Sequence, residues 1–185
     1  PEEMAAPSCL YLADTGDNSQ NRESYAILFA AEPEAENWAA GPGELDVEFT
    51  ALPYRYPDGS HDAEALTVSP SGELLVITKG QEGSAEAFRI AVDDQTAVPL
   101  GALPIDVGDE GLRPTGAALS PSGSMIVVRS DEALFLFSAD DLSTTLHRCD
   151  LPTGRQGEGV DFISDTLLVL TSEGMGASIE IVSCP

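Results

Sequence analysis

The 185-residue chain has 8 Lys plus Arg against 32 Asp plus Glu, for a formal net charge of -24. Nucleic acids and anionic membranes bind basic patches, so this balance argues against both as partners. Hydrophobic residues make up 42%, which is ordinary for a globular protein, and no stretch approaches the roughly 18 apolar residues of a transmembrane helix.

A strand–turn–strand pattern recurs along the chain and predicts the fold. In chain order the repeats begin at Glu2, Glu64, Thr115 and Glu158. The second and third repeats share a Ser-Pro-Ser-Gly turn, at Ser69 and Ser120, and the fourth lacks one residue there. Four copies at blade-sized intervals indicate a repeat architecture.

Each repeat continues with a polar loop and a third, alternating strand. These strands are predicted at Tyr25 to Ala30, Ala87 to Val92, Ala133 to Phe137 and Ser178 to Val182. A more polar fourth strand follows in three repeats, around Val47 to Tyr54, Ala97 to Leu103 and Thr144 to Leu151. Four antiparallel strands in about 45 residues are typical of a β-propeller blade. No convincing amphipathic helix occurs.

We therefore predict an all-β protein, a β-propeller of four-stranded antiparallel blades in a single domain. The blades are expected at about 1–56, 57–105, 106–152 and 153–185. The fourth repeat stops after its third strand, which leaves an outer strand missing and an edge open, a hazard for aggregation. The sequence thus predicts part of a larger ring of five or six blades, completed by a further segment or another chain.

Loops of a propeller alternate between two faces, and here the two faces differ in composition. The Ser-Pro-Ser-Gly turns share one face. The opposite face, called the polar face below, carries the chemically varied loops at 14–22, 57–64, 79–82, 129–132, 154–159 and 172–176. Functional residues concentrate on loops held by a rigid scaffold, so we expect a site on the polar face.

One repeat-equivalent position lies at the mouth of the predicted channel. It is occupied by Glu2, Glu64, Thr115 and Glu158. Carboxylates that converge on an axis repel each other unless cations or protons neutralise them, and oxygen ligands suit Ca²⁺ or Mg²⁺. Alternatively, the glutamates accept backbone N–H bonds at blade junctions and are purely structural.

The loop from Asp14 to Arg22 is a second candidate metal site. Asp14, Asp17 and Asn18, with Asn21, could wrap a Ca²⁺ ion, although their spacing departs from the EF-hand pattern. The alternative is a turn stabilised by Asx-type hydrogen bonds, with Arg22 paired to a nearby carboxylate.

A third cluster combines Asp58, His61, Asp62 and Glu64, which offer metal ligands and general acid–base groups. Within it Asp62 and His61 are the candidate catalytic residues. An exposed loop histidine without a function is the plainer interpretation of His61.

Three cations near the polar face are candidates for binding an anionic ligand. They are Lys79, Arg129 and Arg22. Lys79 and Arg129 could instead pair with the mouth glutamates. The chain has no nucleophile elbow, P-loop or dinucleotide motif.

The three cysteines, Cys9, Cys149 and Cys184, fit no zinc-module spacing. In an exported chain they predict one disulfide and one thiol whose partner lies elsewhere; three buried free thiols are the alternative. Residues 1–4 lack the basic and apolar regions of a signal peptide, which leaves a precursor's signal peptide open.

The run Leu10-Tyr-Leu-Ala-Asp-Thr-Gly-Asp-Asn, followed by Tyr56-Pro-Asp-Gly-Ser-His-Asp-Ala-Glu-Ala-Leu, resembles a family of bacterial exported propellers with no assigned activity. Thr115-Gly-Ala and Gly157-Glu-Gly-Val match at later places, so the resemblance spans nearly the whole chain. In those relatives roughly one more blade precedes the first motif. The resemblance implies a secreted, periplasmic or cell-surface location in a bacterium.

More distantly, the chain is similar to gluconolactonases, strictosidine synthase-like proteins and calcium-dependent phytases. That resemblance implies a divalent cation and a substrate at the channel mouth. Two functions follow as hypotheses. One is an extracytoplasmic propeller that binds Ca²⁺ and an unknown small molecule or protein partner. The other is a metal-dependent hydrolase acting on lactones, esters or phosphoesters, with Glu2, Glu64 and Glu158 as ligands and Asp62 or His61 as base.

Overall fold

The computed structural model describes residues 9–33, 46–80, 83–91, 95–108, 110–153 and 156–184. Over these ranges the chain forms fourteen β-strands and one short 3-10 turn at Glu110–Leu112. No helix in the described ranges is long and apolar enough to cross a membrane.

The strands are arranged in four antiparallel sheets, numbered here in chain order. Sheet 1 contains β1 (Cys9–Asp14), β2 (Tyr25–Ala31) and β3 (Thr50–Tyr54). Sheet 2 contains β4 (Ala63–Val68), β5 (Leu74–Thr78), β6 (Ser84–Ile90) and β7 (Ala97–Asp106). Sheet 3 contains β8 (Gly116–Leu119), β9 (Met125–Arg129), β10 (Ala133–Ser138) and β11 (Asp141–Asp150). Sheet 4 contains β12 (Gly157–Ser164), β13 (Leu167–Ser172) and β14 (Glu180–Ser183).

Within each sheet every strand pairs with the next strand along the chain. The first strands of sheets 2, 3 and 4 also contact one another, because β8 touches β4 on one side and β12 on the other. The outer strands β7 and β11 contact each other as well. In a β-propeller the inner strands of successive sheets lie next to one another, as β4, β8 and β12 do here, so the fold prediction is confirmed. The inner strand predicted near Glu2 lies outside the described residues.

The core lies between the sheets and follows from the alternation of side chains along each strand. Val76 of β5 points into the core between sheets 1 and 2, with Tyr25 and Phe88. Its neighbour Ile77 points the other way, into the core between sheets 2 and 3. A middle strand covered on both faces must be apolar throughout, which explains the run Leu-Leu-Val-Ile in β5.

A disulfide joins the last two sheets. Cys149 on β11 is bonded to Cys184, which directly follows β14. Cys9 is a free, half-buried thiol at the start of β1. The structure therefore agrees with one disulfide and one remaining thiol rather than with three free thiols.

Candidate functional site

Glu64 and Glu158 occupy the same local structure in two different sheets. The pairing of β4 with β5 shifts register between Ala63 and Ala65, and that of β12 with β13 shifts between Gly157 and Gly159. Each glutamate is therefore the extra residue of a β-bulge, a feature that bends the strand and redirects a side chain. The repeat-equivalent position predicted from the sequence thus has a defined backbone geometry in sheets 2 and 4.

Sheet 3 differs at this position. Thr115 precedes β8, whose pairing with β9 shows no register shift, and its N–H donates to the carbonyl of Arg129 at 2.8 Å. Glu2, the fourth member of the set, lies outside the described residues. Among the described residues the carboxylates at this position are therefore those of Glu64 and Glu158.

The two glutamates interact electrostatically. Burial raises the pKa of Glu158 above its usual value, and the negative charges of Glu64, Glu173 and Asp131 raise it further, while Lys79 lowers it. A carboxyl group surrounded by carboxylates resists ionisation. The mouth of the channel therefore has an excess of negative charge in the described structure.

Lys79 brings a positive charge to this mouth. Its Nζ lies 2.6 Å from Oε1 of Glu64 and 4.0 Å from Oδ2 of Asp62. This geometry matches the alternative in which Lys79 pairs with a mouth glutamate, here Glu64. No group of three or more His, Cys, Asp or Glu side chains in the described ranges is arranged to hold a metal ion.

The loop after β1 is organised by the buried carboxylate of Asp17. That carboxylate accepts hydrogen bonds from the N–H of Asn21 at 3.2 Å, the N–H of Arg22 at 2.9 Å and the hydroxyl of Tyr25 at 2.9 Å. Burial raises the pKa of Asp17, but these hydrogen bonds outweigh it and leave the pKa below its usual value. These hydrogen bonds are those of a turn stabilised by an Asx-type side chain, which was the alternative to Ca²⁺ coordination by this loop.

Asp14 and Arg22 form a bidentate salt bridge at the same loop. Nη1 and Nη2 of Arg22 donate to the two carboxylate oxygens of Asp14 at 2.9 and 3.0 Å, and Nη1 also donates to the carbonyl of Gly16. This pairing lowers the pKa of Asp14. Asn18 is exposed nearby. The arrangement favours neither a Ca²⁺ ion on Asp14 nor an anionic ligand on Arg22.

Asp62 holds sheets 1 and 2 together. Its side chain is only 5% exposed, and Oδ1 accepts the N–H of Asp17 at 2.7 Å. Beside it, the hydroxyl of Thr15 donates to the carbonyl of Ala63 at 2.7 Å. Neither Thr15 nor Tyr25 is predicted from the sequence, because no local pattern marks them. Thr15 donates to a carbonyl of the next sheet, and Tyr25 donates to Asp17 on the loop of its own sheet while it accepts the N–H of His61.

His61 lies between two aromatic rings and two carboxylates. Its ring centroid is 4.6 Å from that of Tyr56 and 5.0 Å from that of Phe88. Nε2 is 3.0 Å from Oδ1 of Asp58, and Nδ1 is 3.8 Å from Oε2 of Glu86. The imidazole is therefore fixed in orientation rather than free on an exposed loop.

His61 and Asp62 line a pocket of about 260 Å³ on the polar face, at the junction of sheets 1 and 2. The described residues that complete its wall are Gln20, Ser60, Thr78, Gly80, Ser84 and Glu86. The two candidate catalytic residues thus line one concave site, and their catalytic role stays a prediction.

Arg129 is buried rather than exposed at the channel mouth. Its side chain is 2% exposed, and its guanidinium donates to the carbonyls of Gly159 and Thr171 and to the hydroxyl of Ser172. Burial lowers its pKa. These bonds connect β9 to sheet 4, a structural role that the sequence did not indicate.

No protein-family model matches the sequence, and no curated protein matches it significantly. Solved structures do resemble it. One is a Bacteroides uniformis protein provisionally assigned as a 6-phosphogluconolactonase, with 14% identity, a TM-score of 0.58, and coverage of 99% of this chain and 66% of that chain. Another is hydrazine synthase from Kuenenia stuttgartiensis, with 15% identity, a TM-score of 0.53, and coverage of 96% and 43%.

These likenesses show a β-propeller fold. They confirm the predicted resemblance to propeller proteins at the level of the fold, while membership of the exported family stays a prediction. The chain spans 66% and 43% of the two solved chains.

Proposed function

We propose that this chain is an extracytoplasmic β-propeller that binds a divalent cation, Ca²⁺ first of all, at the channel mouth, and a small molecule or protein on its polar face. The observation that supports this most strongly is the mutual repulsion of Glu64 and Glu158, which contributes to the raised pKa of Glu158. A divalent cation between the two carboxylates would remove that repulsion, and carboxylates are preferred ligands of Ca²⁺.

We place the cation at these glutamates rather than in the loop after β1, since Asp14 and Asp17 already have partners there. Ca²⁺ takes about six to eight oxygen ligands, so water and neighbouring oxygens, among them the hydroxyl of Thr115, complete the shell. Lys79 would compete with the metal for Glu64, because its ammonium lies 2.6 Å from that carboxylate.

Calorimetric titration with CaCl₂ tests this proposal. Glu64→Gln combined with Glu158→Gln is expected to weaken binding about tenfold or more, because both charged ligands are lost. Lys79→Met is expected to tighten binding, since it removes the competing ammonium. Glu73→Gln is the matched control, because Glu73 pairs with Arg89 beside the Ser-Pro-Ser-Gly turn. Equal binding by the wild type and the double variant contradicts the proposal.

The disulfide supports the extracytoplasmic part of the proposal. Disulfides such as Cys149–Cys184 form and persist in oxidising compartments, namely the periplasm, the cell surface and the extracellular medium. Finding the chain in an exported fraction, with the bond intact under non-reducing mass spectrometry, is the expected result; a reduced, cytoplasmic chain contradicts it.

A metal-dependent hydrolase of lactonase, esterase or phosphoesterase type is the second candidate. It is favoured by the proximity of Asp62 and Glu64, whose carboxylates both face the ammonium of Lys79. A metal on Glu64 would place its bound water near Asp62 or His61 as base. Turnover of a lactone or ester panel that requires Ca²⁺ and is lost in Asp62→Asn would support this activity; no turnover with Ca²⁺ bound would leave the binding function.

Further β-structure belongs to the proposed assembly. Leu12 on β1 is 50% exposed, and Ile163 and Ile181 in sheet 4 are 50% and 63% exposed. Propeller sheets pack face to face through such side chains. We propose that another segment or another chain supplies a sheet that covers them.

A further inference from the structure

The pocket at the junction of sheets 1 and 2 is distinct from the channel mouth. Its described wall contains two carboxylates, Asp62 and Glu86, and none of the described wall residues is Lys or Arg. The remaining groups are neutral hydroxyls and an amide, together with the imidazole of His61. The wall is therefore polar and acidic.

Asp62 is the more buried of the two carboxylates, since its side chain is 5% exposed against 44% for that of Glu86. One carboxylate oxygen accepts the N–H of Asp17, while the other, Oδ2, lies 4.0 Å from Nζ of Lys79, beyond hydrogen-bonding distance. A largely desolvated carboxylate needs hydrogen-bond donors or a counterion to offset the cost of its burial. The ammonium of Lys79 is held 2.6 Å from Glu64 and stays 4.0 Å from Oδ2 of Asp62, so Oδ2 can still accept a hydrogen bond from a donor in the pocket.

The wall is also held in a fixed shape. His61 is packed against Tyr56 and Phe88, and its backbone N–H donates to the hydroxyl of Tyr25 at 3.2 Å. Ser60 donates to the carbonyl of Gln20 at 2.7 Å, which ties the loop before β4 to the loop after β1. A rigid concave site reduces the entropy lost when a ligand binds.

We propose that this pocket binds a small organic cation, a primary ammonium on a short aliphatic chain. An ammonium has three N–H donors and no acceptor. Carboxylate oxygens of Asp62 and Glu86 and hydroxyl oxygens of Ser60 and Ser84 are suitable acceptors for those donors. This inference does not depend on Ca²⁺ at the channel mouth.

Calorimetry with 1,4-diaminobutane as the probe tests the inference, with 1,4-butanediol as its neutral counterpart. We expect one diamine per chain and no measurable binding of the diol. Glu86→Gln and Asp62→Asn are each expected to weaken diamine binding about tenfold, through loss of a charge-assisted hydrogen bond. Asn at position 62 keeps an acceptor for the N–H of Asp17, and thermal melting shows whether each variant is folded.

Two further variants separate this site from the others. Glu73→Gln should bind the diamine like the wild type, which controls for general attraction to an acidic protein. The Glu158→Gln variant, in which Lys79 keeps its pair with Glu64, should weaken Ca²⁺ binding but keep the diamine, so each proposal can fail alone. Equal binding of diol and diamine, or full diamine binding by a folded Glu86→Gln variant, would overturn the inference.

Discussion

Glu158 is a carboxyl group whose charged form is disfavoured by folding. Burial is the main cause, and the charges of Glu64, Glu173 and Asp131 add to it. A carboxyl with a higher pKa in the folded than in the unfolded state binds more protons when folded. Its contribution to stability therefore falls as pH rises through the interval between the two pKa values. Below that interval the group is neutral in both states.

We therefore expect Glu158→Gln to stabilise the metal-free chain at pH 7. The thermal midpoint should rise by about 1–2 °C, a small effect because Glu158 is only partly removed from solvent. The gain should disappear below about pH 4, where the wild-type carboxyl is protonated. Calorimetric scans with a chelator at both pH values measure it. Glu48→Gln, at an exposed position outside the strands, is the control; a lower midpoint at neutral pH would contradict the reasoning.

Residue-level chemistry was only partly predictable from the sequence. The equivalence of Glu64 and Glu158 follows from the repeats, because a repeat fixes which positions share a place in the sheet. The partners of Asp17 were not predictable. Both Ca²⁺ coordination and an Asx-type turn suit its sequence context, and the hydroxyl of Tyr25, brought in by the next strand, completes the hydrogen bonds of the turn.

Arg129 connects three strands at the level of secondary-structure elements. It leaves β9 and donates to carbonyls on β12 and β13. The connection requires glycine at position 157, because a Cβ atom there would lie 2.6 Å from Nε of Arg129. Gly157 thus makes room for a buried guanidinium, whereas a Cβ atom at Gly159 would meet Oγ1 of Thr171 instead, a difference that a Gly-x-Gly pattern alone does not reveal.

We expect Gly157→Ala to destabilise the chain by about 1–3 kcal/mol, because the guanidinium must move and lose hydrogen bonds in a buried site. Urea denaturation measures the free energy of unfolding. Gly16→Ala is the matched control, since the nearest atom to its new Cβ is 4.0 Å away. An equal loss of stability in both variants would show that the position of Arg129 does not set the cost, because a Gly→Ala change by itself lowers the entropy of the unfolded chain and stabilises the fold.

Strands with a continuous apolar run were predictable from the sequence, and the boundaries of the polar outer strands were less so. The middle strands β5 and β10 are apolar throughout because sheets cover both faces. By contrast β11 begins at Asp141, before the predicted Thr144, and its early part is exposed and polar. Backbone pairing with β10 extends that strand, and backbone pairing leaves no hydrophobic signature in the sequence.

At the scale of the whole molecule, the sheets are coupled because the middle strand of an interior sheet packs into the cores on both of its faces. Leu134 and Leu136 of β10 pack toward sheet 4, with Leu168, while Phe135 and Phe137 pack toward sheet 2. Each interior sheet is therefore part of two cores, and loosening one sheet exposes both. Sheet 4 is attached through one such core and through the disulfide.

The bond between Cys149 and Cys184 should therefore matter most for sheet 4. The two residues are 35 positions apart. In the loop-entropy description, a cross-link over that length lowers the entropy of the unfolded chain and thereby raises its free energy by about 3–4 kcal/mol. Cys149→Ser with Cys184→Ser is expected to lower the free energy of unfolding by that amount, measured as a lower urea midpoint, and a reductant should have the same effect on the wild type. Cys9→Ser should change neither result, because Cys9 is a free thiol. If the reductant left the wild-type midpoint unchanged, sheet 4 would be held by its shared core and by Arg129 alone.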